Sequence, residues 1–399
     1  MPGVTPELLA VLQTPEGAEA LAVAAEVGDG EPLAAASALR ARGFGAELAA
    51  AALTQASLRR RAAVKFGPDA AGMFFTRHGL EQATRAVVAQ RRAARLAACG
   101  VRTLADLGCG LGSDALAAAR HGISVYAVDA DPATAALAAA NAAAAGLADR
   151  ITVTCADATT VAVEGYDAVF ADPARRQTGR GRVFDPKAYS PPWDFVAGLA
   201  RRVPRTVLKL APGIDHGLLP PGAEGEWVSV GGDLVEAAFW CGPLAAAPRR
   251  ATLLGGPEPA ELTGSGRERA PTGPVGAWFY DPDPAVVRSH LVAEFAASVG
   301  GRLGDPEIAY VYTDDPVDTP FARRLEVTDV LPFSLKRLRA LLRDRGVGTL
   351  EIRKRGSALV PDQLRKDLRL SGPNAAGLVL TRVDGAPAAL LTAHSTPPV

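Results

Sequence analysis

Four acids and three glycines carry the chemistry this sequence suggests. Asp106 lies in a short apolar run, 101–107, suited to a buried parallel strand. Gly108, Gly110 and Gly112 follow it and strip the side chains from a tight turn, so bare backbone can take positive φ and approach a ligand closely. Asp129 closes a second apolar run, 123–128, at the spacing where nucleotide-binding α/β folds put the carboxylate that holds ribose hydroxyls. Asp157 follows a third run, 151–155, and Asp172 a fourth, 166–171. Acids at successive strand ends point to a ligand lying across the carboxyl edge of a parallel sheet.

Two ligand classes use such a loop, and Asp106 separates them. A dinucleotide places its pyrophosphate on the helix N-terminus, where a neighbouring carboxylate would repel it. S-adenosylmethionine has no phosphate and carries a cationic sulfonium and an ammonium, which an acid suits. The order Asp-x-Gly-x-Gly-x-Gly therefore favours the methyl donor over NAD.

The elements that must position these residues are legible from their punctuation. Ser113 or Asp114 is expected to cap a helix over 115–120 that Gly122 stops, and Asp131-Pro132 to open one reaching Gly146. Asp157 is read either as an acceptor for an adenine amino group or as a loop cap. Residues 177–192 read as a long polar loop over the site, 193–202 as a helix, and 206–210 as a fifth strand with Lys209 unusually placed in an apolar run. A hairpin over 226–230 and 234–241, turning at Gly231-Gly232, and a strand over 251–254 would close the sheet. Upstream, 6–13, 15–27, 32–42 and 46–65 read as helices separated by Pro or Gly. Arg59, Arg60, Arg61 and Lys65 would touch a polyanion or line a solvated helix end. One helix over 79–97 is expected beside the first strand, with Thr76 or Arg85 in reach of the ligand.

Downstream, 255–275 reads as a surface linker and 283–299 as a helix. Past Gly304 a compact α+β module follows, with strands at 326–331, 349–353, 376–383 and 388–392 and helices at 334–345 and 361–370. Lys336, Arg337, Arg339, Arg353, Lys354 and Arg355 make this module basic, which suits either a phosphate backbone or an ordinary solvated helix face. The whole 399-residue chain carries equal numbers of acids and bases, so nucleic acid could be held only by such a local patch. Four scattered cysteines argue against a zinc site or a disulfide scaffold and fit a reducing compartment. No apolar run suits a membrane span, and a cytoplasmic, metal-free protein is expected. The domain organisation read from these patterns is helical over 1–71, a catalytic α/β domain over 72–255, a linker and helix over 256–305, and an α+β domain over 306–399.

The stretch 106–114, with Asp129, Asp157 and Asp172-Pro173, resembles the class I S-adenosylmethionine-dependent methyltransferases. Segments 332–339, 350–356 and 370–376, with Asp172-Pro173-Ala174-Arg175-Arg176 and 208–215, are similar to a bacterial methyltransferase family with a C-terminal THUMP-like domain. The resemblance implies a Rossmann-like sheet flanked by an N-terminal helical domain and a C-terminal α+β domain. It also implies S-adenosylmethionine as cofactor and methyl transfer to a tRNA or rRNA base. Asp106, Gly108, Gly110 and Gly112 would cradle the methionine part, Asp129 the ribose and Asp157 the adenine. Asp172 and Pro173 occupy the position where amino-methylating enzymes keep an acid or Asn followed by Pro-Pro and an aromatic. Ala174 and Arg175 here replace the second proline and the aromatic, so Arg175 and Arg176 would stack on a base or pair with a phosphate. Lys209 and the basic module would meet substrate. A protein or small-molecule acceptor, or a non-catalytic cofactor- and RNA-binding role, stands as the alternative.

Overall fold

The computed structural model describes residues 5–27, 32–175 and 189–393. They form two compact units, one of residues 1–224 with 237–246 and the other of 225–236 with 247–399.

The first unit begins with four helices, α1 (Pro6–Leu12), α2 (Pro15–Val27), α3 (Pro32–Ala41) and α4 (Ala46–Phe66), three of them opening on proline. Their apolar faces do not form a separate core. Leu12, Leu39 and Ala52 belong to one cluster with Leu104, Val125 and Phe170 of the sheet. The single helix expected over 79–97 is two, α5 (Arg77–Gln82) and α6 (Ala86–Ala98), because Ala83 leaves helical geometry with ψ of 137°. The sheet then alternates with helices in chain order: β1 (Thr103–Leu107), α7 (Ser113–Arg120), β2 (Ser124–Asp129), α8 (Pro132–Ala144), β3 (Ile151–Cys155) and β4 (Ala168–Ala171). A short pair, β5 (Ala174–Arg175) and β6 (Tyr189–Ser190), precedes α9 (Trp193–Arg202) and β7 (Thr206–Leu210). β8 (Glu224–Val230) and β9 (Asp233–Trp240) follow, and the division between the units falls within them.

In this unit the strands lie in the order β9-β7-β4-β1-β2-β3. All are parallel except β9, which pairs antiparallel with β7 from Val207 opposite Trp240 to Leu210 opposite Ala237. The register sets Asp106 opposite Ala127 and Phe170, and Asp129 opposite Cys155, so the acids collect at the carboxyl edge.

In the second unit, β10 (Arg249–Leu254) pairs parallel with β8 and antiparallel with β11 (Ala260–Gly264). Part of the expected linker is therefore a strand. The helix expected over 283–299 is also broken. β12 (Trp278–Pro282) leads into α10 (Pro284–Arg288) and α11 (Val292–Ser298), separated by His290 at a φ of 64°. β13 (Arg302–Leu303), β14 (Val311–Thr313), β15 (Ala322–Pro332), α12 (Leu335–Asp344), β16 (Val347–Lys354), α13 (Pro361–Leu368), β17 (Asn374–Val383) and β18 (Ala386–Thr392) complete a sheet ordered β13-β14-β12-β15-β18-β17-β16. One face packs Leu378 and Leu391 against Leu338, Leu342, Leu364 and Leu368 of α12 and α13. The other packs Val379 and Leu390 against Phe279, Tyr310 and Tyr312. Among the described residues no helix is long and apolar enough to cross a membrane.

Candidate active site

The loop after β1 is built to bring backbone close to a ligand. Gly108, Gly110 and Gly112 all have positive φ, at 87°, 55° and 81°. The Gly108 and Cys109 N–H groups both donate to the Val128 carbonyl, at 2.8 and 2.9 Å, which fastens the loop to β2. A Cβ at Gly108 would stand 3.0 Å from the Asp172 carbonyl oxygen, so glycine is required there by both φ and space. Beyond it, Asn141 of α8 accepts from Phe74 N–H at 2.7 Å and donates to the Leu111 carbonyl at 2.9 Å. Gln55 of α4 grips the Phe75 backbone on both sides, at 2.8 and 2.9 Å. Two buried amides thus tie the glycine loop and the preceding segment 74–75 to α8 and α4.

Asp106 is fully buried, and neither carboxylate oxygen has a hydrogen-bond partner among the described residues. Burial first, then repulsion from Asp114, Asp172 and Asp129, push its carboxyl well above the usual carboxylate range, and the Arg92 guanidinium opposes this. Asp129 accepts from Gly110 N–H at 3.1 Å and Asp131 N–H at 3.0 Å, while burial raises its carboxyl. Burial, and then Asp106 and Asp129, push the Cys109 thiol up. A buried, unpartnered carboxylate beside a second one, lined by open backbone, fits a cationic ligand and would reject an anionic one. The ammonium and sulfonium of S-adenosylmethionine satisfy that requirement.

Asp172 follows β4, beside the buried Pro173, and its N–H donates to the Leu107 carbonyl at 3.2 Å. Lys209 of the neighbouring β7 donates to Asp172 Oδ2 at 2.5 Å. The lysine that stood out in an apolar run is thus the partner of the candidate catalytic acid. Asp157 lies at the end of β3, exposed, and caps the turn 158–160 by accepting from the Thr159 N–H and hydroxyl at 2.8 Å each, which lowers its carboxyl. The structure therefore brings Asp106, Asp129 and Asp172 into one electrostatic cluster. Arg176 and the side chain of Arg175 lie outside the described residues, as do residues 177–188 of the loop expected over 177–192, whose described end includes the short strand β6.

Several expectations around the site are corrected. Neither Ser113 nor Asp114 caps α7; its N-cap is Gly112 and makes no side-chain bond. Asp114 instead takes Arg92 of α6 and the Thr84 hydroxyl, the latter at 2.7 Å, because the nearly buried Arg92 needs a counter-charge. Thr76 caps α5 by accepting from Gly79 N–H at 2.9 Å. Arg59 and Lys65 serve the fold: Arg59 donates to the Met73 carbonyl at 2.8 Å, and Lys65 to the carbonyls of Leu80, Glu81 and Ala83 at the end of α5. Sequence reading missed Arg92, Gln55 and Asn141. The signal available was polarity at positions where their helices are otherwise apolar.

The basic residues of the second unit fall into two groups. Arg353 and Arg355 both pair with Asp281, at 3.1 and 2.9 Å, and Arg353 also with Glu351 at 2.6 Å. Lys354 donates to the Leu359 carbonyl at 2.9 Å, and Arg339 to that of Asp367. Lys336, Arg337 and Arg343 of α12 are exposed and make no side-chain hydrogen bond or ion pair among the described residues. Among those residues no cluster of His, Cys, Asp or Glu suits a metal ion.

Comparison with known proteins covers nearly the whole chain. The methyltransferase domain family matches residues 104–176, the THUMP domain-like family 322–394, and a domain of unknown function 5–62. Proteins from two strains of Mycobacterium tuberculosis, each named as an uncharacterized S-adenosylmethionine-dependent methyltransferase, are 36% identical over 352 residues, covering 84% of this chain and 94% of each relative. A crystal structure of a candidate methyltransferase from Porphyromonas gingivalis is similar over 95% of this chain and 99% of its own, with a TM-score of 0.74 at 22% identity, and that likeness shows the fold.

Proposed function

The chain belongs to the S-adenosylmethionine-dependent methyltransferases, and from that premise we propose that its acceptor is RNA, at a base of tRNA or rRNA. The observation that carries this reading is the solvent-facing trio Lys336, Arg337 and Arg343 on α12, within a segment matching the THUMP domain-like family. Unpaired cations on one helix suit a phosphate backbone, whose binding they would make salt-dependent.

The bound cofactor supplies an already electrophilic methyl group, so the chain's own work is positioning. Asp106 faces the cofactor's cationic end, the backbone of Gly108, Gly110 and Gly112 lines it, Asp129 takes the ribose hydroxyls and Asp157 the adenine edge. Asp172 accepts a hydrogen from the acceptor group and orients its lone pair. Lys209 holds the Asp172 carboxylate in place through Oδ2, which leaves Oδ1 for the acceptor. Pro173 fixes the backbone that presents Asp172, and Arg175 and Arg176 hold the base or its phosphate. Arg339, Arg353, Lys354 and Arg355 support the cationic unit from within, since each is already committed to protein partners. That commitment is also what favours the competing reading, a protein or small-molecule acceptor, because it shrinks the free basic surface.

The test is transfer of tritium from labelled S-adenosylmethionine to total RNA and, separately, to total protein from cells lacking the enzyme, with Asp172→Ala beside wild type. Label in a tRNA- or rRNA-sized band that disappears with the variant is the expected result. Label confined to protein or small molecules would overturn the RNA reading and leave the cofactor site standing.

A further inference from the structure

Behind the glycine loop, α6 and α7 meet through one nearly buried ion pair. Arg92 of α6 donates to Asp114 in the first turn of α7. Asp114 accepts a second hydrogen bond, from the Thr84 hydroxyl at 2.7 Å. Thr84 is placed in turn by its neighbour, since the Ala83 carbonyl accepts from Lys65 of α4 at 3.2 Å. The Asp114 carboxylate is therefore held by two donors from different elements, and the segment carrying Thr84 is itself fastened to α4.

This pair lies on the face of the sheet that carries Asp106. Asp106 and Phe170 are register partners on parallel strands, so their side chains share a face, and Leu104 shares it two residues earlier. The Arg92 guanidinium covers the Phe170 ring, 4.7 Å from its centroid, and Arg92, Asp114, Phe170 and Leu104 line one small cavity. The charged groups acting on Asp106 are Asp114 from α7, Asp172 after β4, Arg92 from α6 and Asp129 at the end of β2. Cys109 of the loop faces Asp106 and Asp129, and Lys209 of β7 is engaged by Asp172 at 2.5 Å. Arg92 is the cation of the set that acts on Asp106, and two carboxylates draw on it: Asp114 by direct contact and Asp106 through space. In a buried site both influences are strong, and they oppose each other.

We propose that Arg92 and Asp114 are positioning residues for the cofactor with opposed effects: Arg92 holds Asp106 as the anion that meets the ligand's cationic end, and Asp114 draws on Arg92 and limits that hold. The proposal rests on the assignment of Asp106 to S-adenosylmethionine. A pair that only packed α6 against α7 would act on stability, and losing either half would work in the same direction. A pair that sets the charge on Asp106 gives its two halves opposite signs in cofactor affinity.

The test follows two readouts in the full chain across a pH series. One is S-adenosylmethionine affinity by calorimetry. The other is the Asp106 carboxyl resonance of the free protein labelled with 13C at aspartate Cγ, assigned by its loss in Asp106→Asn. Arg92→Gln removes the attraction and leaves Asp114 unneutralised, so the midpoint of both curves should move up by about one pH unit, with affinity roughly tenfold lower below it. Asp114→Asn keeps the shape and still accepts from Thr84, but leaves Arg92 to Asp106. Its midpoint should move down by a similar amount, and it should bind roughly tenfold more tightly than wild type at pH values below the wild-type midpoint. Arg92→Lys, which restores a cation, should return both curves toward wild type. Should Arg92→Gln not fold, the direction of Asp114→Asn decides alone. Unmoved midpoints, or weaker binding by Asp114→Asn, while Asp106→Asn still removes the pH slope, would overturn the proposal and leave Asp106 in the cofactor site. A wild-type affinity that is flat with pH and equal to that of Asp106→Asn would overturn that assignment and the proposal together.

Discussion

The glycine-loop cluster and the Asp281 cluster handle buried charge in opposite ways. Around the loop, carboxylates outnumber their cations: Arg92 goes to Asp114 and Lys209 to Asp172, while Asp106 is left with no hydrogen bond and Asp129 with backbone N–H groups alone. Around Asp281 the balance is met within the protein, since Asp281 joins Arg353 and Arg355, Glu351 takes Arg353 as well, and Tyr310 lies under the Arg355 guanidinium at 5.0 Å. The first arrangement is unfavourable until a cation arrives, and the second is complete as it stands. Unmet charge therefore marks the ligand site, whereas a run of basic residues in sequence marks only a candidate surface.

Substitutions can break this contrast, beginning with the largest effect. Asp172→Ala should lower kcat by roughly a hundredfold or more, the usual scale for losing an orienting or proton-accepting group, while cofactor affinity measured by calorimetry stays within about threefold. An equal loss of cofactor binding would place Asp172 in the cofactor site instead. Next, Asp281→Asn leaves two half-buried guanidinium groups without their shared carboxylate and should destabilise the protein by about 3 kcal/mol, at the lower end for a broken buried pair because each retains some water. Chemical denaturation checks it, with cofactor affinity expected to hold. The smallest effect is expected from Lys336→Ala with Arg337→Ala. Folding should be unchanged, and the salt dependence of RNA binding should weaken by about two units of slope. An unchanged slope would return α12 to an ordinary solvated face.

Much of this was readable from residue types alone. Prolines announced the N-terminal helices, and the glycine loop with its flanking apolar runs located β1, β2 and the acids. The misses share a cause. Ala83 interrupts α5 and α6 without a Gly or Pro to signal it, and His290 separates α10 from α11 in a backbone conformation that its residue type does not advertise. β12 and β14 were not anticipated, since their aromatic runs are too short to show a period. Within the site, Lys209 drew notice because a lysine inside an apolar strand needs a partner. Arg92 and Asp114 did not, because a pair 22 residues apart is visible only once α6 lies against α7. Arg353 and Arg355 looked like surface charge for the same reason: Asp281 lies more than 70 residues away.

The most direct test of the central claim is calorimetric binding of S-adenosylmethionine to wild type and Asp106→Asn across a pH series. Burial raises the Asp106 carboxyl, so in the free protein its stabilising contribution is full below the unfolded value and is lost as pH climbs through the raised one. A cationic ligand prefers the ionised form, so wild-type affinity should increase with pH through that window. Asp106→Asn should bind about tenfold to a hundredfold more weakly at the upper end, the loss of one charge-assisted contact, and should lose the slope attributable to this group. The free variant should be no less stable than wild type at neutral pH, because it no longer buries an unpaired carboxylate. Equal affinity in the two proteins at every pH would contradict the assignment of this carboxylate to the cofactor.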